Sequence, residues 1–175
     1  MNYILFDGSA RRKLLPFTFT RPVADIRIGI LTIREKWEKY LDSTTTTVTE
    51  DYLSQKWPMV EMEENIMING SYLPTPGLVD QIRDLKPREA IFDGEEVVAF
   101  FSREDEEVDF ETCEHIELNE DAFKIVNTWD IFTKNGEALI ADFKLITRDR
   151  KSIPIPESNN VINPGEIFIE EGAKV

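Results

Sequence analysis

The chain has 175 residues, enough for one domain with an appendage, and its 41% hydrophobic and 10% aromatic content belongs to a folded protein rather than a disordered one. Lys and Arg number 20 against 34 Asp and Glu, a formal net charge of -14, and a surface that negative repels phosphate backbones and argues against nucleic acid as a partner. Cys113 has no second cysteine for an internal disulfide, no span approaches the ~20 apolar residues of a membrane helix, and no charged-then-apolar leader opens the chain, so the expectation is a cytoplasmic protein.

Tyr3-Ile4-Leu5-Phe6 is a buried-strand pattern closed by the turn Asp7-Gly8. A cluster of cations, Arg11, Arg12 and Lys13, follows, and then the proline-bracketed stretch LLPFTFTRPVADIRIG from Leu14 to Gly29. From Thr32 a helix is expected: Ile33, Trp37, Tyr40 and Leu41 share one face, Thr32 to Glu35 matches a capping box, and Glu35 can pair with Lys39. The β-branched run Thr44 to Val48 reads as a strand, and Thr49 as the cap of a short helix carrying Tyr52 and Leu53.

Ile66-Met67-Ile68, stopped by Asn69-Gly70, is the next buried strand. Thr75 and Pro76 open a helix with Leu78, Val79, Ile82 and Leu85 inward. Ala90-Ile91-Phe92, the turn Asp93-Gly94 and Val97 to Phe101 form a hairpin. The acidic runs Glu61 to Glu64 and Arg103 to Glu107 read as solvated loops, and Cys113 and His115, which lack spaced partners for nucleophilic or metal chemistry, read as structural residues. Asn127 to Asn135 reads as a short helix with Trp129, Ile131 and Phe132 in the core, ended by Gly136; Ala138 to Ile146 is helix or strand. Strands alternating with helices, plus one hairpin, imply a three-layer α/β domain with a mostly parallel or mixed sheet over residues 1–155.

From Asn159 the pattern changes. Val161, Ile167 and Ala173 recur every six residues, as do Asn163, Ile169 and Val175, a period that suits the flat sides of a β-helix. Such coils need stacked neighbours, so residues 156–175 are expected to begin a β-helix of a longer protein; a terminal β-hairpin is the alternative.

The turn after the first strand can hold anions on backbone N–H groups. Gly8 lets a ligand come close, Ser9 offers a hydroxyl, and Arg11, Arg12 and Lys13 can offset polyphosphate charge. Three cations in a loop can equally face water. The stretch around Arg21 has its own plain account, an extended crossover held by Pro16 and Pro22 with Arg21 paired to a carboxylate such as Asp25.

The run from Ile4 to Gly29 resembles the N-terminal signature of sugar-phosphate nucleotidyltransferases, with Leu15-Pro16-Phe17-Thr18 and Thr20-Arg21-Pro22 in its middle. With the INGSYLP step and the closing hexads, the chain is similar to bacterial sugar nucleotidyltransferase-like proteins related to the bifunctional N-acetylglucosamine-1-phosphate uridylyltransferase/acetyltransferase. That resemblance implies a Rossmann-like nucleotidyltransferase domain followed by the first hexapeptide coils of a left-handed β-helix, and a trimer in the full-length protein. It implies attack of a sugar-1-phosphate on the α-phosphorus of a nucleoside triphosphate, with Mg²⁺ as cofactor and pyrophosphate released. It assigns nucleotide binding to Asp7, Gly8, Ser9, Asn69 and Gly70, phosphate chemistry to Arg12, Lys13 and Arg21, and offers Asp130 as a metal ligand.

Two positions depart from the signature. Val23 follows Pro22 where a lysine is usual, leaving Arg21 or Arg27 as substitutes, and Ser71 follows Asn69-Gly70 where a metal-binding Asp is usual. A second function class therefore stands beside the enzyme: a non-catalytic domain that binds a nucleotide sugar or packs against a β-helix acyltransferase.

Overall fold

The apolar run at the N-terminus becomes β1 (Asn2–Phe6), an interior strand of a six-stranded sheet, in a computed structural model that describes residues 1–104, 106 and 108–174. Ile4 and Leu5 point to opposite faces and both are fully buried, as a strand covered on each side requires. Along the chain follow α1 (Ala10–Lys13), α2 (Ile33–Leu41), β2 (Thr45–Val48), α3 (Asp51–Ser54), β3 (Glu64–Asn69), α4 (Pro76–Arg83), β4 (Glu89–Asp93), β5 (Glu96–Arg103), β6 (Glu114–Glu117), α5 (Asp130–Thr133) and α6 (Asn135–Thr147). Single 3-10 turns lie at Phe17–Phe19, Val23–Asp25 and Pro164–Glu166.

The sheet order is β2-β1-β3-β5-β4-β6. β1 pairs in parallel with β2 and β3, and β4 with β6, while β5 runs antiparallel to β3 and β4. The result is a mixed, mostly parallel α/β sheet in which β1, β2, β3, β4 and β6 end at one edge and β5 begins there. Tyr3, Leu5, Ile66, Ile68, Ile91, Ala99 and Phe101 line one face and pack with Trp37, Leu78, Val79 and Ile82 from α2 and α4. The opposite face carries Phe6 and Phe100 with centroids 5.7 Å apart, Phe110 edge-on to Phe100, and His115 stacked on Phe92 at 4.1 Å.

Local signals account for the starts of α2 and α4, whereas the expected Thr49 cap of α3 is not made. Thr32 accepts from the Glu35 N–H at 3.1 Å and its own N–H donates to Glu35 at 2.6 Å, completing the capping box. Burial raises the Glu35 pKa, but the Thr32 hydrogen bonds and the Arg27 charge outweigh it and hold the carboxyl below its usual range. Glu35 pairs with Arg27 at 3.5 Å, rather than with the expected Lys39. Thr75 caps α4, with Pro76 in its first turn.

Two further expectations are corrected. Gly136 does not end a helix; it lies in the first turn of α6, in open space. Trp129 and Phe132 are not core residues, being 64% and 85% exposed. α6 is helix throughout Ala138 to Ile146 and buries only Ala138 and Asp142, so its attachment is narrow and polar and the neighbouring aromatics face outward. Beyond the acidic run, where no element is expected before Asn127, the chain forms β6, an edge strand whose charged side chains conceal it because only one of its faces meets the protein.

The polar attachment of α6 is specific. Asp142 accepts from the N–H groups of Ile30 at 2.7 Å and Leu31 at 3.0 Å and pairs with the buried Lys36. Asn135 accepts from the Gly29 N–H at 2.8 Å, and a Cβ on Gly29, whose φ is +78°, would lie 2.5 Å from the Asp142 carboxylate. Burial pushes the Lys36 pKa down, and Asp142 pulls the other way.

Residues 156–174 form no strand; their only regular element is the turn Pro164–Glu166. Ile169 is buried and its carbonyl accepts from the Ile153 N–H at 3.0 Å, whereas Ile167 is exposed and Val175 lies outside the described residues. A β-helix coil takes its main-chain hydrogen bonds from the coils above and below, and residues 156–174 contain no such stack.

Candidate functional site

The chain leaves β1 to build β2 on one side of it and then β3 on the other, so the gap between the ends of β1 and β3 is a topological switch point, where open α/β sheets hold ligands. Gly8 and Asn69-Gly70 flank that gap. A Cβ on Gly8 would lie 2.5 Å from Asn69 Nδ2, so only glycine permits this approach. Gly70 closes the gap from the other side, its N–H donating to the Phe6 carbonyl at 2.9 Å.

The Asn69 amide is fully engaged. Its Nδ2 donates to the Val97 carbonyl at 3.1 Å and to Glu96 at 3.3 Å, and its Oδ1 accepts the N–H of Ser71 at 3.1 Å and the Ser71 hydroxyl at 2.8 Å. Ser9 Oγ lies 2.9 and 3.0 Å from the two carboxylate oxygens of Glu96. An acidic group thus sits against Ser9 and Asn69, the side chains expected to meet a nucleotide.

The cations divide into two sets. Arg11 turns inward, paired with Asp7 and donating to the Thr18 carbonyl at 2.7 Å and the Tyr52 hydroxyl at 3.0 Å, with Glu50 at 3.3 Å. Asp7 is equally occupied, accepting the Val23 N–H at 2.7 Å and the Thr49 hydroxyl at 2.6 Å besides Arg11. Arg12, Lys13 and Arg21 are exposed and enter no ion pair among the described residues. Asp25, offered above as a partner for Arg21, is held instead by Arg34 at 2.8 Å. Arg27 is committed to Glu35 and the Ile30 carbonyl.

A second polar cluster stands at the end of β4, unmarked in the sequence. The Tyr72 hydroxyl donates to Asp93 at 2.9 Å, and Lys124 Nζ lies 2.5 Å from Asp93 and 3.0 Å from the Tyr72 oxygen. The Lys124 hydrogen bond holds the Asp93 carboxyl below its usual range, and burial followed by the Asp93 contact pushes the Tyr72 phenol far up. Glu96 adds to that upward push, so the two clusters are electrostatic neighbours. No residue-type spacing announces this arrangement, because its members come from three separate segments.

Asp130, the expected metal ligand, accepts the N–H groups of Val126 and Asn127, each at 2.8 Å. Burial raises its pKa, but these backbone donors and the Lys134 charge outweigh it and keep the carboxyl low. Around the Asn69-Gly70 step, Ser71 is buried with its hydroxyl given to Asn69, Asp7 already meets three donors, and Glu96 is the remaining carboxylate. Magnesium prefers carboxylates with free oxygens beside substrate phosphates, and this donor set does not fit it. Among the described residues no three His, Cys, Asp or Glu side chains gather to hold a metal.

A cavity of about 610 Å³ lies elsewhere, between Arg88 at the start of β4 and Arg103 at the end of β5, with Cys113 on its wall. Burial pushes the Cys113 thiol pKa up, away from the nucleophilic thiolate. Among the described residues no helix is long and apolar enough to cross a membrane.

Parallel strands on both sides of a glycine-lined switch point define an open α/β domain with a crevice of the kind that holds ligands. A sequence model of the family described as sugar nucleotidyl transferase matches residues 3–151, and the chain belongs to that family. No curated protein matches the chain.

Proposed function

We propose that this domain transfers a nucleotidyl group from a nucleoside triphosphate to a sugar-1-phosphate, with the phosphates over Gly8 and Ser9. The sugar-phosphate oxygen attacks the α-phosphorus and pyrophosphate leaves. The protein's part is positioning and charge compensation rather than covalent chemistry. Gly8 admits the phosphates to the backbone, Arg12 and Lys13 meet the leaving pyrophosphate charge, and Arg21 meets the sugar phosphate in place of the lysine that Val23 replaces. The observation that carries this reading is three cations, unpaired among the described residues, that follow the switch-point turn in a chain whose net charge is -14.

A second reading, nucleotide-sugar binding without turnover, is favoured by Ser71 at the metal-ligand position and by Glu96 on Ser9. Pyrophosphate release from each nucleoside triphosphate with a panel of sugar-1-phosphates separates the two. Release that falls in Arg12→Ala, Lys13→Ala and Arg21→Ala supports transfer. Tight nucleotide-sugar binding with no release from any pair supports the second reading, and neither binding nor release removes both.

A further inference from the structure

We propose that Phe17 and Phe19 form the platform on which the nucleotide base stacks, an inference that rests on the phosphate placement above. Residues 15–21 leave the fold after the buried Leu14 and return at Val23, whose N–H is held by Asp7, so the excursion rims the end of β1 next to Gly8. Its centre is fixed. Thr18 is fully buried, its hydroxyl donating to the Arg11 carbonyl at 2.8 Å and its own carbonyl accepting from the Arg11 guanidinium at 2.7 Å. On either side of this anchor Phe17 is 49% and Phe19 59% exposed.

Large aromatic rings held in water by a braced turn gain nothing for the fold that a smaller residue would not supply, since burial is what makes a ring stabilising. The same rim bears Arg12, Lys13 and Arg21, unpaired among the described residues. Exposed aromatic rings beside concentrated positive charge match a ligand that is planar at one end and polyanionic at the other, which is a nucleoside triphosphate. Ring stacking tolerates every base, so the platform supplies affinity and orientation more than base choice. A second copy of this chain presents another anionic, apolar surface, the exposed Met59, Val60 and Met62 among Glu61, Glu63 and Glu64. It is a poorer match, because joining that surface to this one brings together two molecules each of charge -14.

The test compares four nucleoside triphosphates with inorganic tripolyphosphate, which has the charge and no base, by calorimetric titration of the intact chain. The wild-type protein is expected to bind tripolyphosphate and to bind nucleoside triphosphates more tightly. The double variant Phe17→Ala/Phe19→Ala is expected to lose about 5- to 100-fold in nucleotide affinity while tripolyphosphate affinity stays within about twofold. Phe17→Tyr/Phe19→Tyr is expected to retain nucleotide binding, which separates stacking from misfolding. Unchanged nucleotide affinity in the alanine pair overturns the platform and leaves the phosphate site standing. Wild-type protein that binds neither probe overturns the phosphate site and the platform with it. Concentration-dependent self-association lost in the alanine pair, with nucleotide affinity unchanged, assigns the rings to a second copy instead.

Discussion

Arg11 and Thr18 brace one another twice: the guanidinium donates to the Thr18 carbonyl at 2.7 Å, and the Thr18 hydroxyl donates to the Arg11 carbonyl at 2.8 Å. Of three consecutive cations, the first is therefore part of the scaffold, and its neighbours are left for solvent or ligand. Arg11→Ala strands Asp7 and frees the rim, and is expected to destabilise the fold by about 2–4 kcal/mol in urea unfolding. Arg11→Lys is expected not to restore stability, because one ammonium cannot span Asp7, Thr18 and Tyr52 together. Full stability in either variant would show that the brace is dispensable.

Glu96 holds the Ser9 hydroxyl and part of the Asn69 amide, with no cation paired to it among the described residues. An incoming phosphate must displace that carboxylate or sit against its charge. Glu96→Gln keeps an oxygen for Ser9 and removes the charge, so tripolyphosphate affinity is expected to rise by about 3- to 10-fold at low salt, the gain shrinking at high ionic strength. A drop in affinity would mean that Glu96 serves the ligand rather than opposing it.

The Lys36 and Asp142 pair joins α2 to α6 in a buried setting and carries the turn at Ile30 and Leu31 with it. Asp142→Ala leaves a buried ammonium unpaired and two N–H groups without acceptors, and should cost about 3–5 kcal/mol. Lys36→Met removes the charge while Asp142 keeps its backbone donors, so it should cost less. Chemical denaturation of the two single variants measures the difference, and equal losses would contradict this order.

Asp93 is held below its ordinary pKa first by the Lys124 hydrogen bond and also by Tyr72. The folded chain therefore binds that proton less readily than the unfolded chain, so the stabilisation is present above the unfolded carboxyl pKa of about 3.9 and fades as pH falls through the folded value. Asp93→Asn is expected to lower the melting temperature at pH 6 and to narrow its gap from wild type at pH 3. A constant gap across that range would remove Asp93 from the acid response.

Part of the candidate site's local structure was legible in the sequence. The Asp7-Gly8 turn after a buried strand, the Asn69-Gly70 stop and the cation cluster all mark the end of β1 and its neighbour, since turn chemistry and apolar runs act within a few residues. Which cation faces inward was not readable, because Arg11, Arg12 and Lys13 share one chemistry and differ only in direction from a four-residue helix. The Trp129 and Phe132 reading failed for a related reason: hydrophobicity argues for burial only where another element covers the ring.

What the amino-acid order determined by itself was the local half of this protein. The strands are marked by their own apolar runs, and the Thr32 capping box, the Asp93-Gly94 hairpin and the glycine turn each draw their stability from neighbours a few positions away. Tertiary structure alone decided the rest: Glu96 on Ser9 across 87 positions, Asp142 on Lys36 across 106, and a charged edge strand, β6, recruited by β4. Those pairings depend on how the sheet orders its strands, and a polar side chain carries no mark of its distant partner until chain topology brings the two within hydrogen-bonding reach.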